Sequence, residues 1–184
     1  FIVIDSLRAD YCYGEKKTSV TPNIDFLINK GVYFKQAVSS IDGTVPSLSS
    51  IFTAKYPFKN NITWSKNHNK ALEFFKNIKT YGYSEYLKAP DNPFFRTLSK
   101  DFEDKDLTSS LSYPGLWEGT GKLILSRLDK GNMQSPWIFF VHIMDLHTLK
   151  PLPDEFNIPK YGKTEYDRRI SLIDDWLGKF LKKI

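Results

Sequence analysis

Thr44 follows Gly43 and stands two residues ahead of Pro46, with Leu48, Ile51 and Phe52 at helical spacing behind it. Proline suits the opening of a helix, where its missing N–H would have no intrahelical partner, so the pattern predicts a helix beginning at or just after Thr44. Free N–H groups and the positive end of the helix dipole meet at such an end, and together they favour an alkoxide over a hydroxyl. The chemistry this allows is nucleophilic attack by the threonine oxygen. The same residues also describe an ordinary helix cap. Asp5 is the second candidate, placed directly after the apolar run Phe1 to Ile4. Ligands of open α/β sheets bind beyond the carboxyl ends of the strands, so an acid there can serve as metal ligand or general base. It is equally a common turn residue.

Several elements must position these groups. The run Phe1 to Ile4 reads as a strand buried on both faces. Thr21 and Pro22 open a short helix carrying Ile24, Leu27 and Ile28, which Gly31 closes. Alternation from Val32 to Val38 predicts the strand that leads to Thr44. Leu72, Phe75 and Ile78 predict a helix over Ala71 to Tyr81, with a strand over YSEYLKA after Gly82. The segment from Pro90 to Pro114 carries turn signals. Leu116 to Lys130 predicts a helix stopped by Gly131, and WIFFVHI after Pro136 predicts another buried strand. From Tyr166 the series Ile170, Ile173, Leu177, Phe180, Ile184 predicts an amphipathic helix laid on a sheet.

A chain of 184 residues with 41% hydrophobic content has the length and composition for one domain with a core. No apolar run approaches the roughly 20 residues that span a bilayer, and no basic-then-apolar leader stands at the start. Because the chain opens in mid-strand without an initiator Met, composition leaves the compartment open and bears on no membrane partner. The single Cys12 excludes an internal disulfide or a multi-cysteine metal site and reads as a packing residue. A net charge of +5 suits an anionic substrate, but the lysines are interspersed with acids, and no nucleic-acid motif or basic face is present. Asn61, Ile62 and Thr63 form a glycosylation sequon, meaningful only in a secreted eukaryotic chain. His68, among Asn and Lys, reads as a solvated loop residue, and His142, inside a strand, as core or interface packing.

The segments IVIDSLRADYCYG, TPNIDFLINKGVYFKQAVSS and TVPSLSSIFTAKYP, in that order, resemble the N-terminal part of the sulfatase family of the alkaline phosphatase superfamily. The resemblance implies an α/β fold with a mostly parallel sheet flanked by helices on both faces, alkaline-phosphatase-like and here incomplete. It makes Asp5 the acidic metal ligand and places Thr44 at the nucleophile position, where it too would contact the metal. It also matches Met144, Asp145, Leu146 and His147 to a segment whose histidine faces the substrate, so His147 becomes a candidate substrate or metal contact. Asp174 and Gly178 match a helix motif and read as structural. The expected cofactor is a divalent ion, with zinc, manganese, magnesium and calcium all represented in the superfamily. The expected partners are an anionic ester and the rest of the same protein. Residues 1–184 correspond to the N-terminal portion of such an enzyme, without the later segment that supplies further metal ligands. Alone, such a portion would leave one side of its sheet unpaired and self-associate.

The departures from the family pattern decide the expected chemistry. Ser6 stands where a second acid is common, and Leu48 replaces the arginine that follows the nucleophile. Leu146 stands where the family has proline, the next proline is displaced to Pro151, and no Lys-x-His pair occurs, with Lys88 a weak substitute. Above all, Thr44 cannot be oxidised to formylglycine, because its β-carbon already bears a methyl group. These features imply a metal-dependent hydrolase or transferase acting on phosphate mono- or diesters through a threonine nucleophile. The alternatives are a sulfuric ester hydrolase and an inactive sulfatase-like binding protein, which the missing arginine and Lys-x-His pair would fit.

Overall fold

The computed structural model describes residues 1–56, 78–84, 98, 102, 115–117, 119–131, 133, 135–147 and 151–184. The sequon, His68, Lys88 and nearly all of the Pro90 to Pro114 segment lie outside the described residues, as does most of the helix expected over Ala71 to Tyr81. The elements are β1 (Ile2–Ile4), α1 (Ala9–Cys12), α2 (Pro22–Lys30), α3 (Thr44–Thr53), β2 (Lys79–Ser84), α4 (Thr120–Asp129), β3 (Trp137–Ile143) and α5 (Glu165–Leu181), with a short 3-10 turn at Pro159–Tyr161. The three strands form an open parallel sheet in the order β1-β3-β2, flanked by helices, which establishes the α/β class. The chain divides into two compact units: Phe1, Lys35–Ser109 and Met133–Val141 make the first, and Ile2–Phe34, Ser110–Asn132 and His142–Ile184 the second.

In the first unit, the aromatic run of β3 buries both faces, as a continuous apolar strand requires. Phe140 meets the Phe52 ring of α3 edge-on at 5.1 Å and stacks on Phe102 at 5.7 Å. On the opposite face Phe139 stacks on Tyr83 at 4.3 Å. Each such pair contributes about 0.5–1.5 kcal/mol beyond the area it buries. Strand β2 begins at Lys79, whose N–H donates to the Pro136 carbonyl at 3.1 Å. The expected boundary there is therefore corrected: residues 79–81 are strand, and Gly82 lies inside it. A Cβ at Gly82 would come within 2.4 Å of Phe102 Cγ, so glycine is there to admit the ring, and it terminates nothing.

The strand expected over Val32 to Val38 does not form. Val32, Phe34 and Val38 are 83%, 74% and 90% exposed, with a turn at 35–36. Alternation produces a strand only where a neighbouring strand supplies the ladder and a core covers one face, and none of the three strands formed by the described residues includes this segment.

The second unit is built on α5, whose Ile170, Ile173, Leu177 and Phe180 are all buried, as the steps of three and four predict. Ile184 is not part of that face: the helix ends at Leu181 and Ile184 is exposed. Helix α4 starts at Thr120, four residues later than expected, because Leu116 and Trp117 lie in a turn whose Leu116 N–H donates to Asp145 Oδ1 at 2.9 Å. Trp176 Nε1 donates to the Gly121 carbonyl at 3.1 Å, and a Cβ on Gly121 would meet the Leu116 carbonyl oxygen at 2.1 Å. Cys12 is buried and its thiol is pushed up to about 11 by burial, so it stays protonated and inert at neutral pH. No helix among the described residues is long and apolar enough to cross a membrane.

A capping box opens α5. Asp167 Oδ2 accepts from the Thr164 N–H at 2.7 Å and hydroxyl at 2.8 Å, and Oδ1 accepts from the Thr18 hydroxyl at 2.6 Å. Burial alone would raise this carboxyl, but the hydrogen bonds from Thr18 and Thr164 bring it below its ordinary value of 3.8. A carboxyl depressed in the folded state contributes stability that is complete above the unfolded pKa and is lost as pH falls through the folded one. Asp167→Asn should therefore flatten the acid limb of stability, read as urea midpoints between about pH 2 and 6. An acid limb as steep as that of wild type would contradict this account.

Candidate functional site

Thr44 is the first residue of α3, and Gly43 at φ +84° is the cap. The capping reading of Thr44 is thereby corrected: its hydroxyl stands on the first turn, behind a cap residue, Gly43, that has no side chain to cap with. Pro46 occupies the third helical position, where its missing N–H is still one of the groups with no intrahelical acceptor. The first helical hydrogen bond runs from the Ser47 N–H to the Gly43 carbonyl at 3.1 Å. Ser47 also folds its hydroxyl back onto the incoming loop, donating to the Ile41 carbonyl at 2.8 Å and lying 3.1 Å from Ser39 Oγ. Glycine supplies the left-handed turn and serine ties it down, so the half-buried Thr44 is held at a helix end that favours negative charge.

Asp5 belongs to the second unit, at the carboxyl end of β1, where its N–H donates to the Ile143 carbonyl at 2.9 Å. Its side chain is 10% exposed, and that of His142 is fully buried. Ser6 Oγ donates to Asp5 Oδ1 at 2.9 Å, and His142 Nε2 lies 3.4 Å from Oδ2. The histidine read as core packing thus touches the candidate acid as well. Ser6 itself has φ +57°, the left-handed region that non-glycine residues seldom adopt. Its carbonyl accepts from the Tyr166 hydroxyl at 2.6 Å, and the Arg8 N–H donates to the same phenol oxygen at 3.0 Å. His147 is exposed on the turn that closes β3, with its N–H donating to the Met144 carbonyl at 2.9 Å. The neighbouring Asp145 holds the Leu116 turn, and Gly115 leaves room for its carboxylate: a Cβ there would sit 2.7 Å from Oδ1.

Asp5 offers a hard carboxylate oxygen at a strand end, with His142 beside it, which suits one corner of a divalent-cation site. Among the described residues no group of three or more His, Cys, Asp and Glu side chains gathers into a complete one. The donor chemistry fits a divalent ion as a partial ligand set.

The whole chain, residues 1–184, matches the family model described as Sulfatase. It belongs to the sulfatase family. Its place in the alkaline phosphatase superfamily follows, and members of the family generally use a divalent metal ion. The chain is 37% identical over 73 residues to an ulvan-active sulfatase of Formosa agariphila, a match covering 39% of this chain and 14% of that protein. It is 35% identical over 61 residues to human arylsulfatase H, covering 33% of this chain and 11% of that one. The sulfatase-family chain therefore spans a small part of the curated relatives it matches. No solved structure matches it.

Proposed function

We propose that the protein containing this sulfatase-family chain is a metal-dependent esterase or transferase of phosphate esters, with Thr44 as nucleophile and Asp5 as one metal ligand. The observation that carries the reading is the placement of Thr44 as the first residue of α3, behind a glycine cap. Asp5 would hold a divalent ion in part, and such an ion would supply positive charge to lower the pKa of a nucleophilic hydroxyl and to offset the charge of the ester oxygens. Thr44 Oγ1 gives up its proton to solvent water and attacks phosphorus in line, forming a P–O bond while the bond to the leaving oxygen breaks. Water, or an acceptor hydroxyl in a transferase, then attacks the phosphothreonine and restores the threonine. His147, exposed after β3, is a candidate to bind the ester or to protonate the leaving oxygen.

The second reading, sulfuric ester hydrolysis, is favoured by the names of both relatives, which are sulfatases. Against it stands the β-methyl of Thr44, which blocks the formylglycine aldehyde. Matched aryl phosphate diesters and aryl sulfates separate the two readings. The full-length protein is expected to show the larger kcat/KM on the phosphate ester and to lose it with chelator. A preference for the sulfate would establish the second reading, and metal binding without turnover of either ester would point to a binding protein.

A further inference from the structure

The loop that leaves β1 is held in an unfavourable shape by a side chain 158 residues away. Ser6 at φ +57° is the residue that turns the chain directly after Asp5, and its hydroxyl is bonded to the Asp5 carboxylate. A serine does not settle in that region unaided, so something must over-determine it. The Tyr166 phenol does so: it donates to the Ser6 carbonyl at 2.6 Å and accepts from the Arg8 N–H at 3.0 Å, closing both sides of the turn. The phenol is itself fixed, since Tyr166 is in the first turn of the long helix α5 and its ring meets Tyr11 edge-on at 4.9 Å.

We infer that Tyr166 is a positioning residue for the Asp5 carboxylate: its hydroxyl holds the strained Ser6 turn that aims Asp5 at the metal. This rests on the reading of Asp5 as a metal ligand. Groups that orient a ligand without touching the metal commonly change its affinity by about 10–100-fold when removed. Phenylalanine keeps the ring against Tyr11 and removes only the hydroxyl, so Tyr166→Phe should fold yet release the turn.

The test is a Mn2+ titration of the full-length protein, following the signal of free Mn2+ by electron paramagnetic resonance, for wild type, Asp5→Asn and Tyr166→Phe. Asp5→Asn should lose most of the affinity and Tyr166→Phe should weaken it roughly tenfold. If Asp5→Asn loses affinity while Tyr166→Phe stays within about twofold, the positioning role is overturned and the ligand reading stands. If Asp5→Asn binds Mn2+ like wild type, the ligand reading fails and the inference falls with it. A second measurement needs no variant. Coupling between two events is reciprocal, so a turn that favours the ion must be favoured by it. Saturating wild type with Mn2+ should therefore slow hydrogen exchange in the peptide spanning residues 6–9, and an unchanged rate would overturn the inference.

Discussion

Thr44→Ala should lower the turnover of a phosphate ester by the full-length protein by about four orders of magnitude or more, the scale seen when a nucleophile is removed from an enzyme. The fold should barely respond. Thr44 does not cap its helix, which Gly43 does, and alanine is the better helix former, so the expected stability change is within about 0.5–1 kcal/mol. Thr44→Ser keeps the hydroxyl and should retain turnover within roughly tenfold. Steady-state kinetics on these two variants, with urea midpoints alongside, checks the claim. Equal activity in Thr44→Ala and wild type would remove Thr44 from the chemistry.

Asp174→Ala should be the most damaging truncation of a polar side chain in the second unit, costing about 2–4 kcal/mol. The reason lies at the start of α2. Thr21 stands at its N-cap position but makes no side-chain cap there; its hydroxyl is turned to Asp25 Oδ1 at 3.4 Å. The cap comes from α5, where Asp174 accepts from the Asn23 N–H at 3.1 Å, the Ile24 N–H at 2.7 Å and Asn23 Nδ2 at 2.9 Å. Alanine leaves the part-buried N–H groups of Asn23 and Ile24 without this acceptor, while Asn23 Nδ2 keeps the Asp174 main-chain carbonyl at 3.0 Å. One effect opposes the loss: burial raises the Asp174 carboxyl above its ordinary value despite these hydrogen bonds, so truncation also relieves a desolvated charge. In the raised sense the stability contribution is complete below the unfolded pKa and declines as pH rises through the folded one. The net loss should consequently be larger near pH 4 than at pH 8, and urea midpoints at both values test it. A change under about 0.5 kcal/mol at both would show that the α2 terminus finds other acceptors.

What could be read without the structure was local. The run WIFFVHI gave β3 with both ends correct, and the spacing of Ile170, Ile173, Leu177 and Phe180 gave the buried face of α5. Gly43, Thr44 and Pro46 gave the start of α3, and the end of an apolar run gave the place of Asp5. What failed depends on partners distant in sequence. Nothing near Asp174 shows that it caps a helix 150 residues earlier, and nothing near His142 shows that β1 will bring Asp5 beside it. The available signal for the latter was pairing itself: two apolar runs reading as parallel strands, each with a residue able to bind a metal at its carboxyl end, are candidates to lie edge to edge, although β1 is only half-buried and not covered on both faces as expected. The alternation at 32–38 failed for the converse reason, being a strand pattern with no strand to join.

The central claim is that Thr44 carries the transferred group. The most direct test is the intact mass of the full-length protein after brief reaction with a phosphodiester, with divalent metal and with chelator, beside Thr44→Ala. The account predicts a metal-dependent phosphoryl-containing adduct on wild type that maps to Thr44 and is absent from the variant. An adduct on another residue, or turnover that survives Thr44→Ala, would contradict it.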